Sequence, residues 1–255
     1  MEMQLERRDE MAVITLNRPH ALNALNSALI RDIGAAIDEV AASDARTLIF
    51  TGAGEKAFCA GADIKELLGR SMMDSKRGAE FGQRTFAKLD TLPMPSIAAI
   101  NGYAFGGGME LALACTFRLA TANAKMGLPE IKLGAIPGYG GTQRLPRVIG
   151  EARALEMIMT GRAVGAEEAE RIGLVSRILD GDAVEGAIAF ARDFTGYSLP
   201  VLQMAREAVM RAGDTPVDAG LKIEADLNTL AFQTEDMIEG MTAFVEKREA
   251  KFKDG

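Results

Sequence analysis

The stretch Ile100-Asn-Gly-Tyr-Ala-Phe-Gly-Gly-Gly-Met-Glu-Leu111 decides the fold class. In front of it, Ser96-Ile-Ala-Ala-Ile100 is a short continuous apolar run, the pattern of a strand buried on both faces, closed by Asn101-Gly102. Gly106, Gly107 and Gly108 then launch an apolar helix read over 107–116. A buried strand that turns through glycines into a buried helix is the repeating unit of an α/β core. The same alternation continues on both sides. Met11-Ala-Val-Ile-Thr-Leu16 reads as a strand stopped by Asn17-Arg18-Pro19. Leu25, Leu29, Ile33, Ile37 and Val40 recur at three or four residues, the stripe of an amphipathic helix. Thr47-Leu-Ile-Phe-Thr51 is a strand closed by Gly52, and Gly173-Leu-Val-Ser-Arg-Ile178 reads as another. Strands alternating with helices predict parallel pairing.

Past about Asp182 the pattern turns helical, over 183–194, 199–212, 216–232 and 235–252, with Pro200 and Pro216 near helix starts where a missing N–H costs least. The predicted division is a core over 1–194 that carries the site and a helical region over 195–255. Helices with apolar faces and little core of their own point to an oligomerisation and lid element. A length of 255 residues, at about 150 per domain, permits one large domain with such an appendage, or two small ones. With 48% hydrophobic and 25% charged residues the chain can bury a core. A net charge of −7 argues against a nucleic-acid-coating protein. Two cysteines, Cys59 and Cys115, exclude a disulfide framework and fit a reducing compartment. One histidine, His20, excludes His-clustered metal sites and disfavours a Ser-His-Asp triad. The opening MEMQLERRDE has no apolar signal-peptide region, and no window approaches the ~18 apolar residues of a membrane span. The expectation is a cytoplasmic protein without membrane or nucleic-acid partners.

Gly52-Ala-Gly54-Glu-Lys-Ala57 nearly matches a dinucleotide fingerprint, but Phe58-Cys-Ala-Gly-Ala-Asp63 follows instead of a helix, so it reads as an ordinary turn. Three segments carry chemistry: Lys56 to Lys65, Ile100 to Leu111, and Met126-Gly-Leu-Pro-Glu-Ile131 followed by Pro137-Gly-Tyr-Gly-Gly-Thr142. Gly106 to Gly108 allow close backbone approach at a helix start, and Ala60-Gly61-Ala62 offers further donors with no side chain in the way. Two such N–H groups converging on one oxygen make an oxyanion hole, although a tight turn would by itself explain the glycines. Glu110 shifts that balance: it stands one turn inside a helix otherwise made of Leu111, Leu113 and their apolar neighbours, a costly place for an unpaired acid. Glu130, 20 residues later, follows Pro129 at the start of a short helix, where a plain N-terminal acid is the simpler alternative. Two carboxyls at one pocket can hold a water, one taking its proton and the other supplying one.

At these residues the sequence resembles the enoyl-CoA hydratase/isomerase (crotonase) family, most nearly its short-chain enoyl-CoA hydratases. The likeness runs through Leu16-Asn-Arg-Pro19 with Asn23-Ala-Leu25, Ala57 to Lys65, Asn101 to Leu111, Pro129-Glu-Ile131, Pro137 to Leu145, Gly173-Leu-Val175 and Gly240 to Arg248. It implies a spiral of ββα turns with a C-terminal helical trimerisation region, assembled as a trimer or dimer of trimers. It further implies that Ala62 and Gly107 are the oxyanion donors for a thioester oxygen. Glu110 and Glu130 would hold and activate water, Ala60, Asp63, Ile64 and Lys65 would line the coenzyme A thioester, Gly138 would support the pocket, and Lys247 would reach the coenzyme A of a neighbouring subunit. The implied activity is hydration of trans-2-enoyl-CoA to 3-hydroxyacyl-CoA, an acyl-CoA substrate with no metal and no separate cofactor. Keeping both carboxyls favours hydration over double-bond migration. The alternative is a relative in the same family, such as a carnitinyl-CoA dehydratase or an enoyl-CoA isomerase. An RNA-binding relative on this scaffold would need a lysine-rich helix face, and Ser27 to Asp44 carries only Arg31 as a cation against Asp32, Asp38, Glu39 and Asp44. Four positions depart from the family pattern: His20, Thr116, Leu128 and Tyr139, the last in place of a small residue where the acyl chain would run.

Overall fold

A computed structural model of the protein describes residues 1–255. Met1–Leu92 with Ser96–Ala189 form one compact unit, and Pro93–Pro95 with Phe190–Gly255 form a second.

The first unit is a spiral. A hairpin of β1 (Met3–Arg8) and β2 (Met11–Leu16) leads into α1 (Ser27–Ala41), whose start is capped by Asn26 Oδ1 accepting from Leu29 N at 2.7 Å. Three ββα turns follow: β3 (Thr47–Gly52), β4 (Ala57–Cys59), then α2 (Ile64–Leu67) and α3 (Met72–Ala87); β5 (Ser96–Ile100), β6 (Tyr103–Phe105), α4 (Gly107–Ala114); β7 (Phe117–Thr121), β8 (Lys125–Gly127) and, after a 3-10 turn at Glu130–Leu133, α5 (Gly141–Ile149). The unit closes with α6 (Glu151–Thr160), β9 (Ala163–Gly165), α7 (Ala166–Arg171), β10 (Arg177–Leu179) and α8 (Ala183–Ala191). The first strand of each turn joins a six-stranded sheet in the order β1-β2-β3-β5-β7-β10, and the second joins a four-stranded sheet in the order β4-β6-β8-β9. Pairing is parallel except at β1/β2 and β8/β9. The predicted α/β spiral is therefore the observed one. β3 and β5 are buried along their whole length, which is why they read as uninterrupted apolar runs.

Side chains staple successive turns of the spiral. Asn101 Nδ2 donates to the carbonyls of Gly52 and Gly54, both at 2.7 Å, tying the turn after β5 to the one after β3. A Cβ on Gly102 would lie 2.4 Å from Lys56 O, so only glycine fits where these turns stack. Thr116 bridges in the same way, its Oγ1 accepting from Ser96 N while Ser96 Oγ accepts from Thr116 N.

Three boundaries differ from the sequence reading. The helix expected over 107–116 stops at Ala114, because Cys115 is extended and Thr116 serves the bridge to Ser96. The strand expected over 173–178 shrinks to Arg177–Leu179; Gly173 is left-handed and Leu174 N turns back to Ala169 O, so 173–176 is the exit of α7. α3 escaped the reading because its buried side consists of little more than Gly82, Thr85 and Phe86.

The second unit holds α9 (Leu199–Arg211), α10 (Val217–Ala231) and α11 (Glu235–Glu246). The helix expected to run to 252 ends at Glu246, since Lys247 is left-handed and the tail doubles back along α11. Glu239 accepts both Nη groups of Arg248 and the N–H of Lys251; Asp236 accepts from Lys253 N and Asp254 N; and Asp254 accepts from Leu199 N. These bonds offer the returning backbone more than a further turn of helix would. Beside them lies an apolar groove of about 600 Å³ among Val201, Leu202, Met237, Met241 and Phe252, with Phe244 85% exposed at its rim. No helix of the protein is long and apolar enough to cross a membrane.

Candidate active site

The site forms where α4 begins. Gly106 adopts φ +50°, ψ −127°, a conformation open to glycine, and a Cβ on Gly108 would sit 2.1 Å from Cys59 O. The glycines thus turn the chain sharply and let β4 press its backbone against the helix. Gly107 is the first residue of α4, where an N–H has no partner within the helix.

Ala62 is aimed by strand geometry. It forms a parallel bridge with Leu25, in which Leu25 N donates to Gly61 O and Asp63 N donates to Leu25 O, each at 2.8 Å. In such a bridge the flanking residues make the bonds and the central residue's own N–H points the other way. Gly61 in turn lies against α4, a Cβ there falling 3.3 Å from Phe105 O and 3.9 Å from Gly107 N. The residue before Ala62 thus lies against the start of α4.

Glu110 is 1% exposed, and its Oε1 accepts from Tyr139 N at 2.7 Å and Gly141 N at 2.8 Å. Burial pushes its carboxyl up to about 7, against the pull of those N–H groups and with the charge of Glu130 adding to the rise. Glu130 opens the 3-10 turn after Pro129, and its Oε1 lies 3.0 Å from where a Cβ on Gly106 would be. Its Oε2 is buried without a hydrogen-bond partner, and burial raises its pKa as well. Two carboxyls with raised pKa values, beside a helix start whose first N–H groups lack helical partners, make an arrangement that can exchange protons with a bound molecule.

The remaining candidates divide. Ala60 N is tied to Leu22 O, and Asp63 pairs with Arg18 while capping α2 through Lys65 N. Ile64 and Lys65 are exposed on α2. Gly138 O accepts from Gln83 Nε2 at 2.8 Å, holding the loop before α5 to α3. Lys247 lies at the end of α11 in the second unit. His20 is exposed next to a cavity of about 330 Å³ lined by Pro19, Leu22, Gly54 and Lys56. Leu128 is fully buried and packs toward Gly141, so it is core. Cys59 is buried, its thiol pushed up to about 12 by desolvation, which makes it inert.

Tyr139 does not point to solvent. Its ring lies 2.4 Å from where a Cβ on Gly82 would be and 3.1 Å from one on Gly107, and it meets Phe86 edge-to-face at 5.8 Å. The backbone donors of Tyr139 and Gly141 are partners of Glu110 that the sequence reading missed. Backbone groups carry no side-chain signal, and only the unusual Gly-Tyr-Gly-Gly run marked the place.

Comparison with known proteins gives a consistent result. The family model for enoyl-CoA hydratase/isomerase matches residues 6–255. A probable enoyl-CoA hydratase of Rhizobium meliloti is 46% identical over 98% of this chain and 96% of its own. A crotonyl-CoA hydratase of Syntrophomonas wolfei is 42% identical over 97% and 96%. The crystal structure of an enoyl-CoA hydratase from Bacillus anthracis superposes with a TM-score of 0.95 at 38% identity, covering all of both chains.

Proposed function

This chain belongs to the enoyl-CoA hydratase/isomerase family, and we propose that it is a hydro-lyase adding water across the double bond of trans-2-enoyl-CoA to give 3-hydroxyacyl-CoA. The observation that carries this reading is the pair Glu110 and Glu130 at the free N-terminus of α4. The names of relatives at 39–46% identity favour hydration over the isomerase and carnitinyl-CoA alternatives. The test is the fall in enoyl-thioester absorbance with crotonyl-CoA, with the product identified as 3-hydroxybutyryl-CoA. Recovery of a shifted double bond from a 3-enoyl-CoA, with no hydration, would replace this reading by isomerisation.

The thioester oxygen accepts from Ala62 N–H and Gly107 N–H, each such donor contributing about 3 kcal/mol as charge builds there. Glu110 takes a proton from water, the water oxygen bonds to the β-carbon, and the π electrons move onto the thioester oxygen as an enolate. Glu130 delivers its proton to the α-carbon as the carbonyl re-forms. Each carboxyl then exchanges its proton with solvent to restore the starting state. The division of roles follows the hydrogen bonds: two N–H donors anchor Glu110 Oε1 and favour its ionised form, whereas Glu130 Oε2 has no donor and is the oxygen left open to carry the proton that goes to the α-carbon. The reaction as written needs no metal and no redox group.

Ala60 to Lys65 would line the coenzyme A thioester, with Gly138 supporting the pocket and Lys247 reaching the coenzyme A of a neighbouring copy. Tyr139, packed on Gly107, would limit the acyl chain, so the preferred substrates are about C4 to C6. Tyr139→Ala is expected to raise kcat/KM for decenoyl-CoA relative to crotonyl-CoA by roughly 5- to 150-fold, the equivalent of relieving about 1–3 kcal/mol of overpacking. An unchanged ratio would remove Tyr139 from chain-length control.

The exposed Met241, Phe244 and Val245 of α11 support assembly through the second unit as a trimer or dimer of trimers. Light scattering should return a mass of three or six chains, and a chain ending at Asp193 should lose it. The two buried free cysteines support a reducing, cytoplasmic location.

A further inference from the structure

We propose that Arg18 is a positioning residue for the oxyanion hole: its guanidinium holds the Ala60–Asp63 loop so that Ala62 N–H is aimed at the thioester oxygen. The inference rests on the reading of Ala62 as an oxyanion donor.

Arg18 is 8% exposed, rare for an arginine, and both Nη groups of its fork are engaged near this loop. Nη2 donates to Asp63 Oδ2 at 3.0 Å, Nη1 donates to Ala24 O, and Nε lies 2.9 Å from Glu2 Oε1. One planar cation therefore grips both strands of the Leu25–Ala62 bridge, through Ala24 on one side and Asp63 on the other. These are the residues adjacent to Leu25 and Ala62, so a change in their spacing rotates the Ala62 peptide directly.

The support beneath Arg18 is equally fixed. Its own N–H donates to Asn23 Oδ1 at 2.9 Å, while Asn23 Nδ2 donates to Ala53 O and Ala57 O at 3.0 and 2.8 Å. Asn23 is fully buried, and Leu22 and Asn23 both stand at positive φ, +50° and +58°. Two consecutive non-glycine residues in that region persist only where their surroundings over-determine them. The segment thus offers a rigid anvil against which Arg18 sets the loop.

Electrostatics gives the pair a second role. Asp63 follows Ala62 directly, and a bare carboxylate there would oppose an enolate forming at the Ala62 N–H. The Arg18 hydrogen bond holds the Asp63 carboxyl below its usual range and balances that charge. Lysine would keep the charge but not the fork, since an ammonium cannot bridge two acceptors in fixed planar geometry.

The test uses the full-length protein with Arg18→Lys and the near-isosteric Asp63→Asn. Steady-state kinetics on crotonyl-CoA are paired with the absorption maximum of bound 4-dimethylaminocinnamoyl-CoA, whose red shift reports polarisation of the thioester carbonyl. Arg18→Lys is expected to lower kcat by about 10- to 100-fold, below the loss from deleting an oxyanion donor outright, with KM within about threefold and a diminished red shift. Asp63→Asn, whose amide oxygen still accepts from Arg18, should show the same pattern more weakly. A full red shift in both folded variants would overturn the proposal even if kcat fell, because the loss would then be structural. Absence of a red shift in the unaltered protein would instead overturn the oxyanion reading itself.

Discussion

Glu130→Gln is expected to lower kcat for crotonyl-CoA hydration by at least about 10²-fold, the usual contribution of a positioned acid, with KM within about threefold. The carboxyl lies over Gly106 at the start of α4, with Oε2 buried and unpaired. An oxygen in that state is stabilised by carrying a proton, and the only partner the reaction offers it is the α-carbon. Glutamine matches the shape and keeps the packing on Gly106, but its amide has no proton of suitable acidity to give. The variant should therefore bind substrate and fail at chemistry. In D₂O the unaltered protein should place deuterium on the α-carbon of 3-hydroxybutyryl-CoA, and the variant should lose that incorporation along with turnover. A folded Glu130→Gln protein retaining more than a tenth of kcat would remove Glu130 as the acid.

Glu110→Gln is expected to lose activity to a similar degree and to gain stability. Glutamine Oε1 can still accept from Tyr139 N and Gly141 N, so the loop before α5 keeps its anchor. What it removes is a buried ionisable group held at about 7 against an ordinary value of 4.5. The sign follows from linkage. The folded state retains a proton that the unfolded chain releases, so between about pH 4.5 and 7 the stability of the unaltered protein falls as pH rises. Above pH 7 the ionised carboxylate stands buried at a cost of about 3 kcal/mol. The variant should thus have the higher Tm at pH 8, with the difference vanishing towards pH 4.5. Hydration by the unaltered protein should show an acid limb near pH 7, where the base becomes protonated. A variant no more stable at pH 8 would mean that the N–H groups of Tyr139 and Gly141 compensate the charge fully.

Both predictions treat the site as a place where stability is given up for chemistry, and Glu110 is where the sequence already hinted at it. An acid between Met109 and Leu111 breaks the local pattern of its own helix, and such breaks mark function. Glu130 gave no such signal, because an acid after proline at a helix start is common. Tyr139 was legible as an odd residue between glycines, yet whether its ring faced solvent or the pocket depended on Gly82, a residue 57 positions earlier on a helix that periodicity did not reveal.

The sequence by itself determined the buried strands β2, β3 and β5, the glycine turn into α4, and the acid inside that helix. Each of these is a local matter: apolar period, backbone freedom at glycine and the cost of burying charge act within a few residues of chain. Tertiary structure alone decided that the Gly61–Ala62 loop lies against the start of α4, that Glu110 is gripped from Tyr139 and Gly141, and that Arg18 closes on Asp63. Those partners stand 29 to 45 residues apart and meet because successive turns of the spiral stack. A pattern of residues along the chain reports which face is buried. It carries no measure of which distant backbone group that face will meet.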